Sequence, residues 1–128
     1  MKDDIEFWYQ DLQARSSYIL TRKGEAWGEC DRHSGPSWFY AKVLIAIEPH
    51  EEFLVINQLD KNKADRMELE DWFDQIVFGV LDVMLSAKSY PCKSFQLVIL
   101  DIDFDEIDSK PIAFRLAARD ATAKILAN

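Results

Sequence analysis

The chain has 128 residues, of which 48% are hydrophobic and 30% are charged, and this composition is typical of a globular protein rather than a disordered one. Its 23 acidic side chains outnumber its 15 basic ones, and the net charge of −8 disfavours binding to DNA or another polyphosphate through general electrostatics. Four glycines and four prolines argue against a turn-rich β-sandwich or propeller. This length supports one hydrophobic core, so we expect a single domain over residues 1–128.

Two features of the chain predict the cellular compartment of the protein. Charged residues occupy the N-terminus, where a secretory signal would need an apolar core. The longest stretch without a formal charge has nine residues, from His33 to Ala41, and a membrane helix needs about 20. We therefore expect a cytoplasmic protein with no membrane partner. In that compartment Cys30 and Cys92, which are 62 positions apart, should be reduced and partly buried.

Short strands and one turn are predicted for the first half of the chain, after a helix over residues 5–12. Alternating apolar residues from Phe39 to Ile47 are typical of a strand, and Pro49 ends it. The sequence Ser34-Gly35-Pro36-Ser37 indicates a turn, because glycine and proline pre-set turn dihedrals. The strands predicted along the chain are 18–20, 25–32, 39–47, 53–58 and 94–100.

Two longer helices are predicted for the second half, at about 68–86 and 110–126. The first has acidic residues in its early turns, where the helix dipole favours them. The second begins near Asp108 or Ser109, with Pro111 in its first turn. The apolar stripe of the first helix consists of Leu69, Phe73, Ile76, Val77, Val80 and Met84. The stripe of the second consists of Phe114, Ala117, Ala118, Ala121 and Ile125.

The order of these elements predicts the fold class. A β-α-β unit that follows an antiparallel pair is typical of an open α/β two-layer sandwich. We expect a four-stranded, mostly antiparallel sheet with the two longer helices on one face. The rings of Phe73 and Phe114 should both be buried between helix and sheet.

Several motifs between Tyr40 and Leu126 resemble domain IV of elongation factor G, the translocase GTPase of bacterial ribosomes. In chain order they are Ile47-Glu48-Pro49, the strand from Phe53 to Asn57, the helix from Leu69 to Leu85, Tyr90-Pro91, the apolar strand from Phe95 to Leu100, Asp108-Ser109 and Ala113-Phe114-Arg115-Leu116-Ala117-Ala118. Upstream, Ser34-Gly35 and Tyr40 are similar to part of the family's Ser-Gly-Gly-x-Gly-x-Tyr loop. The resemblance is strongest over 34–126. It implies a fold related to the second domain of ribosomal protein S5, with a left-handed β-α-β crossover.

The resemblance also implies that two loops form a tip that enters the decoding site of the ribosome. In loop 34–41, Ser37 or Trp38 stands where the family has a basic residue, and in loop 101–108, Asp105 stands where it has a histidine. Five carboxylates within the eight residues of the second loop would repel RNA phosphates. The candidate partner-binding residues in the two loops are Ser34, Gly35, Ser37, Trp38, Phe39, Asp101, Asp103, Asp105 and Glu106.

These features predict a non-enzymatic binding module that acts through loops 34–41 and 101–108 on a protein partner, for which a basic protein is one candidate. The alternative, which the resemblance suggests, is a translation-factor-like domain that associates with the ribosome. The printed sequence has no Gly-x-x-x-x-Gly-Lys-Ser/Thr motif, so we expect no GTP binding. No cofactor is predicted, and no grouping of nucleophile, base and orienting residue indicates an enzyme.

Two patterns in the chain resemble parts of metal sites but are incomplete. Cys30-x-x-His33 has the spacing of half a zinc site, without an obvious second half. Asp101-x-Asp103-x-Asp105 begins like a calcium loop, but the glycine and glutamate that should follow are replaced. We therefore expect no metal ion. We interpret 101–108 as a solvated loop of mutually repelling carboxylates, with Ile102 and Phe104 pointing inward.

Overall fold

The computed structural model describes residues 4–6, 20–86, 92–106 and 109–127. Of the predicted N-terminal helix, only residues 5 and 6 fall in the described part, and they are helical. Most of the predicted strand at 18–20, the Tyr90-Pro91 motif and Asp108 lie outside it. The main elements are β1 (Gly24–Ser34), β2 (Ser37–Pro49), β3 (Leu54–Asn57), α1 (Lys61–Leu69), α2 (Trp72–Met84), β4 (Phe95–Phe104) and α3 (Pro111–Ala127).

The four strands form one sheet in the order β1-β2-β4-β3. The β1–β2 and β2–β4 pairs are antiparallel, and the β3–β4 pair is parallel. Because α1 and α2 connect the parallel pair, the chain contains the predicted β-α-β unit. A register shift opposite Leu44 and Ile45 leaves Leu100 as an extra residue in β4. The mixed, mostly antiparallel sheet confirms the predicted fold class.

One face of this sheet forms the hydrophobic core together with α2 and α3. Alternate residues of the central strands are fully buried on that face, among them Val43, Ile45 and Ile99. Ile76 and Val80 of α2 belong to the same cluster of buried residues. The opposite face carries side chains that alternate with the buried ones, including those of the exposed Trp27 and of Asp103. Both α2 and α3 therefore pack on the same face of the sheet.

The helix predicted over about 68–86 is present as α2 from Trp72 to Met84, but residues 68 and 69 belong to a separate helix, α1, which was not predicted. Asp60 caps α1 by accepting a hydrogen bond from the backbone N–H of Lys63, and α1 ends at Leu69. Asp71 then has a positive φ of 60°, which turns the chain before α2 begins. This break puts Leu69 outside the buried stripe, with 80% of its surface exposed, and Trp72 inside it, at 1%. The prediction that Leu69 is buried is therefore wrong, because the stripe does not continue through the turn.

The two long helices are held together by close packing and by a charged cluster. The rings of Trp72 and Phe114 stack with their centroids 4.3 Å apart. Further along the helix pair, Asp82 accepts hydrogen bonds from Arg115 Nε at 2.7 Å and from Arg119 Nε at 2.8 Å. Hydrogen bonds from Arg115, and then from Arg119, lower the pKa of Asp82 from 3.8 to about 2. The ionised form of this carboxylate therefore stabilises the folded state.

Asp82 should make unfolding depend on pH in the acid range. A carboxylate with a lowered pKa stabilises the folded state above its unfolded pKa, and this contribution is lost as pH falls from about 4 to about 2. We expect Asp82→Asn to lower the free energy of unfolding by roughly 1–2 kcal/mol at neutral pH and to flatten that acid dependence. Urea denaturation at several pH values measures both effects. Glu51→Gln, at an exposed position between β2 and β3, is the control and should leave both unchanged.

Candidate functional site

The β1–β2 hairpin projects beyond the rest of the sheet. The β2–β4 pairing ends at Ala41 and Phe104, whereas β1 and β2 stay paired for four more residues on each strand. At the strand rise this is a projection of roughly 13 Å. The two-residue loop Gly35-Pro36 closes it, and the φ of 59° at Gly35 is typical of a type II′ turn. Residues 31–40 are called the projecting hairpin below.

This geometry corrects the prediction of a loop over 34–41. Ser34 ends β1, and Ser37, Trp38 and Phe39 belong to β2, so the turn itself consists of Gly35 and Pro36. A tight turn between long paired strands holds side chains in fixed directions, which a flexible loop would not do. Ser34 and Gly35 are exposed at the end of the projection.

Three rings form a ladder on the face of the projecting hairpin that continues the face of the sheet opposite α2 and α3. His33 and Trp38 stack with centroids 5.6 Å apart and planes 2° from parallel, and Tyr40 follows 5.0 Å from Trp38. Trp38 Nε1 donates a hydrogen bond of 2.6 Å to Asp31, and the Tyr40 hydroxyl donates one of 2.6 Å to Asp103. The bond to Asp103 raises the pKa of Tyr40 to about 12. The polar atoms of both large rings are therefore held in place by carboxylates.

The residues after β4 dock against the base of this hairpin. The Ser109 hydroxyl donates a hydrogen bond of 2.8 Å to the carbonyl oxygen of Tyr40 and accepts one of 2.7 Å from the backbone N–H of Asp105. On the other face of the hairpin, the Lys110 ammonium lies 4.9 Å from the centroid of the Phe39 ring. Segment 34–41 and the described part of segment 101–108, both of which the sequence singled out, therefore meet at one end of the sheet.

The acidic segment does not have the predicted loop structure. Asp101 and Asp103 belong to β4, and only Asp105 and Glu106 follow the strand within the described residues. The inward orientation of Ile102 and Phe104 is confirmed, since Ile102 is fully buried and Phe104 packs against Trp72. Charged side chains at alternate positions of a strand look like a loop when the strand has one solvated face.

Specific partners replace the mutual repulsion expected among these carboxylates. Asp101 accepts a hydrogen bond of 2.6 Å from Lys63, and Asp103 accepts that of Tyr40. Glu106 accepts one of 2.6 Å from Arg66. The Arg66 guanidinium also lies over the Phe104 ring, 5.1 Å from its centroid. Lys63 and Arg66 were missed from sequence, because they are 38 and 40 positions away from their partners and carry no local signal.

The predicted site residues therefore divide into two groups. Trp38, Asp103 and Asp105 lie where the hairpin and the end of β4 meet, with Phe39 on the reverse side. Asp101 pairs with Leu44, further down the sheet, and its ion pair with Lys63 takes it away from this junction. Asp31, His33 and Tyr40 were not predicted as site residues, because the strand register that places them beside one another and beside Trp38 is not visible in the sequence.

Metal binding finds no support in the described part of the chain. Cys30 is buried and faces the helices, whereas His33, three positions along the same strand, lies on the opposite face. Across 4–6, 20–86, 92–106 and 109–127, no group of three or more His, Cys, Asp or Glu side chains is placed to hold an ion. Cys30 and Cys92 are free, and burial raises the pKa of both thiols. None of the described helices is long and apolar enough to cross a membrane.

These features define the class of the protein: it is a two-layer α/β domain with a mixed sheet, a β-α-β crossover and a projecting hairpin. The model of one protein family, elongation factor G, domain IV, matches residues 17–128. The chain belongs to this family.

Curated relatives and a solved structure agree with this assignment. Elongation factor G 1 of Syntrophomonas wolfei is 29% identical over 97 residues, which are 74% of this chain and 14% of that protein. Elongation factor G of Thermotoga petrophila is 31% identical over 103 residues, which are 77% of this chain and 15% of that protein. The crystal structure of ttk003000868 from Thermus thermophilus superposes with a TM-score of 0.74 at 18% identity, over 88% of this chain and 17% of that one. The chain thus spans about one seventh of the length of these curated relatives.

Proposed function

We propose that this domain is a non-enzymatic binding module and that the projecting hairpin, with Asp103 and the residues up to Lys110, holds a protein partner. The ladder of His33, Trp38 and Tyr40 carries the proposal. Tryptophan and tyrosine are enriched at the centres of protein interfaces, where they supply large contact areas at a low cost in conformational entropy. Because carboxylates already hold these rings, little order would have to be gained on binding.

A basic partner fits this surface best. Asp31 and Asp103 lie on the face of the sheet that carries the ladder, whereas Glu29 on that face is already paired with Lys42. A guanidinium or ammonium group that stacks on Trp38 would lie close to Asp31. The proposed partner is therefore a protein with arginine or lysine at the centre of its contact surface, in the cytoplasm.

Association with the ribosome is the second candidate, and family membership is the observation that favours it. The matched relatives are named elongation factor G, but this chain covers 14–15% of their length, so their activity comes to it only as a proposal. The carboxylates around the hairpin oppose direct contact with RNA phosphates. A basic ribosomal protein would satisfy both proposals.

Trp38→Ala tests the hairpin as the binding surface. We expect capture of the partner from a cell lysate to fall roughly tenfold or more, because a central aromatic residue contributes about 2 kcal/mol or more to binding. The urea midpoint should change little, since the hairpin lies outside the core. Trp27→Ala is the matched control: Trp27 is 43% exposed on the same face of the sheet but lies below the ladder, so capture should be retained. Equal capture by wild type and Trp38→Ala would reject the proposal.

Sedimentation with ribosomes separates the two candidates. If the domain binds the ribosome through a basic protein, co-sedimentation should persist when added salt partly screens the charges. Co-sedimentation that is lost steeply between about 50 and 200 mM salt would instead indicate contacts with phosphate. For a basic partner, Asp31→Asn should weaken association, chiefly by slowing it. If the hairpin faces RNA instead, the same substitution should strengthen co-sedimentation.

A further inference from the structure

A groove of about 360 Å³ lies between α1 and the beginning of α2. It is lined by the carboxylates of Asp65, Glu68, Asp71 and Asp74 and by the apolar side chains of Met67 and Phe73. Met67 is 1% exposed, and the ring of Phe73 is half-buried. None of the lining residues belongs to the projecting hairpin or to 103–110. These residues are called the acidic groove below.

The four carboxylates of the acidic groove have no partners within the described part of the chain. Their side chains make no hydrogen bond and no ion pair there: Lys63 and Arg66 of α1 are engaged elsewhere, and the exposed Lys61 makes no ion pair with them. Lys63 reaches Asp101, and Arg66 reaches Glu106 and Glu70. Four like charges around one depression repel each other. The positive end of the α2 dipole offsets part of this repulsion at Asp71 and Asp74, and a cation from outside would offset more of it.

The acidic groove also has an apolar part. Phe73 packs on the core with one side of its ring and lines the groove with the rest, and Ala64 lies beside it. Charge alone would attract any cation weakly, because exposed ion pairs contribute little. A partner that also covers the Phe73 ring removes apolar area from water, at about 25 cal/mol per Å². The groove therefore fits a chain that carries both positive charge and apolar side chains.

We propose that the acidic groove docks a basic, amphipathic segment of a partner protein. Its lysine or arginine side chains pair with the four carboxylates, and an apolar side chain covers Phe73. A second copy of this chain does not fit, because a two-fold contact would bring eight carboxylates together. Nucleic acid and anionic membranes are repelled for the same reason. This surface shares no residue with the hairpin, so the inference goes beyond the proposed function and stands or falls separately.

Labelled model peptides test the inference on the purified protein. The first peptide is an amphipathic helix with leucine on one face and lysine on the other. In the second peptide glutamate replaces every lysine, and in the third alanine replaces every leucine. Fluorescence anisotropy measures their affinities. The groove variant carries Asp65→Asn, Glu68→Gln, Asp71→Asn and Asp74→Asn. Asparagine tolerates the positive φ of position 71, so the backbone turn is preserved.

The matched control variant neutralises four exposed carboxylates outside the groove. It carries Glu6→Gln, Glu25→Gln, Glu51→Gln and Glu52→Gln, and therefore has the same net charge as the groove variant. Urea denaturation should show that both variants stay folded, because all eight positions are exposed. A difference in binding between the two variants then reports the location of the charges and not their number.

We expect the leucine-lysine peptide to bind the groove variant at least roughly tenfold more weakly than it binds wild type. Its affinity for the control variant should stay within about twofold of its affinity for wild type. The glutamate peptide should not bind, and the alanine peptide should bind wild type several-fold more weakly. Equal weakening in both variants would show that net charge alone attracts the peptide and would overturn the proposal. Unchanged binding to the groove variant would also overturn it. Trp38→Ala should retain the peptide; its loss there would place the peptide on the hairpin instead.

Discussion

Phe114→Ala is expected to lower the free energy of unfolding by roughly 3–5 kcal/mol. The ring of Phe114 is fully buried and stacks on Trp72, which is itself 1% exposed. Removing the ring would leave a cavity where α2, α3 and the end of β4 meet, because Trp72 also packs against Phe104. Chemical denaturation of the purified variant measures the loss. A loss below about 1 kcal/mol would contradict the placement of this ring in the core.

Phe73→Ala is the matched comparison on the neighbouring helix. The sequence pattern predicted full burial for Phe73 as well, but the structure leaves it half-buried at the acidic groove. Truncation of a partly exposed ring removes less buried area and leaves a depression that water fills, so we expect roughly 1–2 kcal/mol. A smaller loss for Phe73→Ala than for Phe114→Ala would confirm that Phe73 lies at the margin of the core and Phe114 inside it.

Much of the sheet could be predicted because burial alternates along its strands. Val43, Ile45 and Ile47 are fully buried on one face, and this period of two was readable in the sequence. The stripe of α3 was equally clear, since Ala117, Ala121 and their neighbours face the sheet. The turn at Gly35-Pro36 followed from the dihedral preferences of its residues.

The errors arose where tertiary contacts override local pattern. The helix break at Asp71 needs a non-glycine residue with positive φ, which no local preference predicts with certainty. The end of β4 was assigned to a loop because Asp101 and Asp103 are charged, yet Lys63 and Tyr40 from distant parts of the chain satisfy them. The candidate site was half visible: its two segments were found, but the ladder needed the register that places His33 opposite Trp38.

Gly28 lies in the middle of β1, within the strand predicted over 25–32. A Cβ atom built on it would lie 2.7 Å from Cβ of Ala121 and would clash with the backbone carbonyl of Ala117. The small residues of α3 and the missing side chain of Gly28 thus allow the helix to approach the strand closely. The close approach of α3 also gives a backbone donor at the edge of β1 an acceptor: Asp120 accepts a hydrogen bond of 3.0 Å from the backbone N–H of Glu29. That bond covers part of an edge that would otherwise be open to other strands.

Gly28→Ala should therefore destabilise the protein by roughly 3 kcal/mol or more, because the clash is with helix backbone and not with a flexible side chain. Relief requires α3 to move away from β1, which also weakens the hydrogen bond between Asp120 and Glu29. Gly35→Ala is the control: it has open space around it but a φ of 59°, so it should cost only about 1 kcal/mol of backbone strain. Urea denaturation ranks the two variants, and amide hydrogen exchange should show faster exchange at Glu29 in Gly28→Ala. A Gly28→Ala protein as stable as Gly35→Ala would mean that α3 does not pack on β1 as closely as the structure has it.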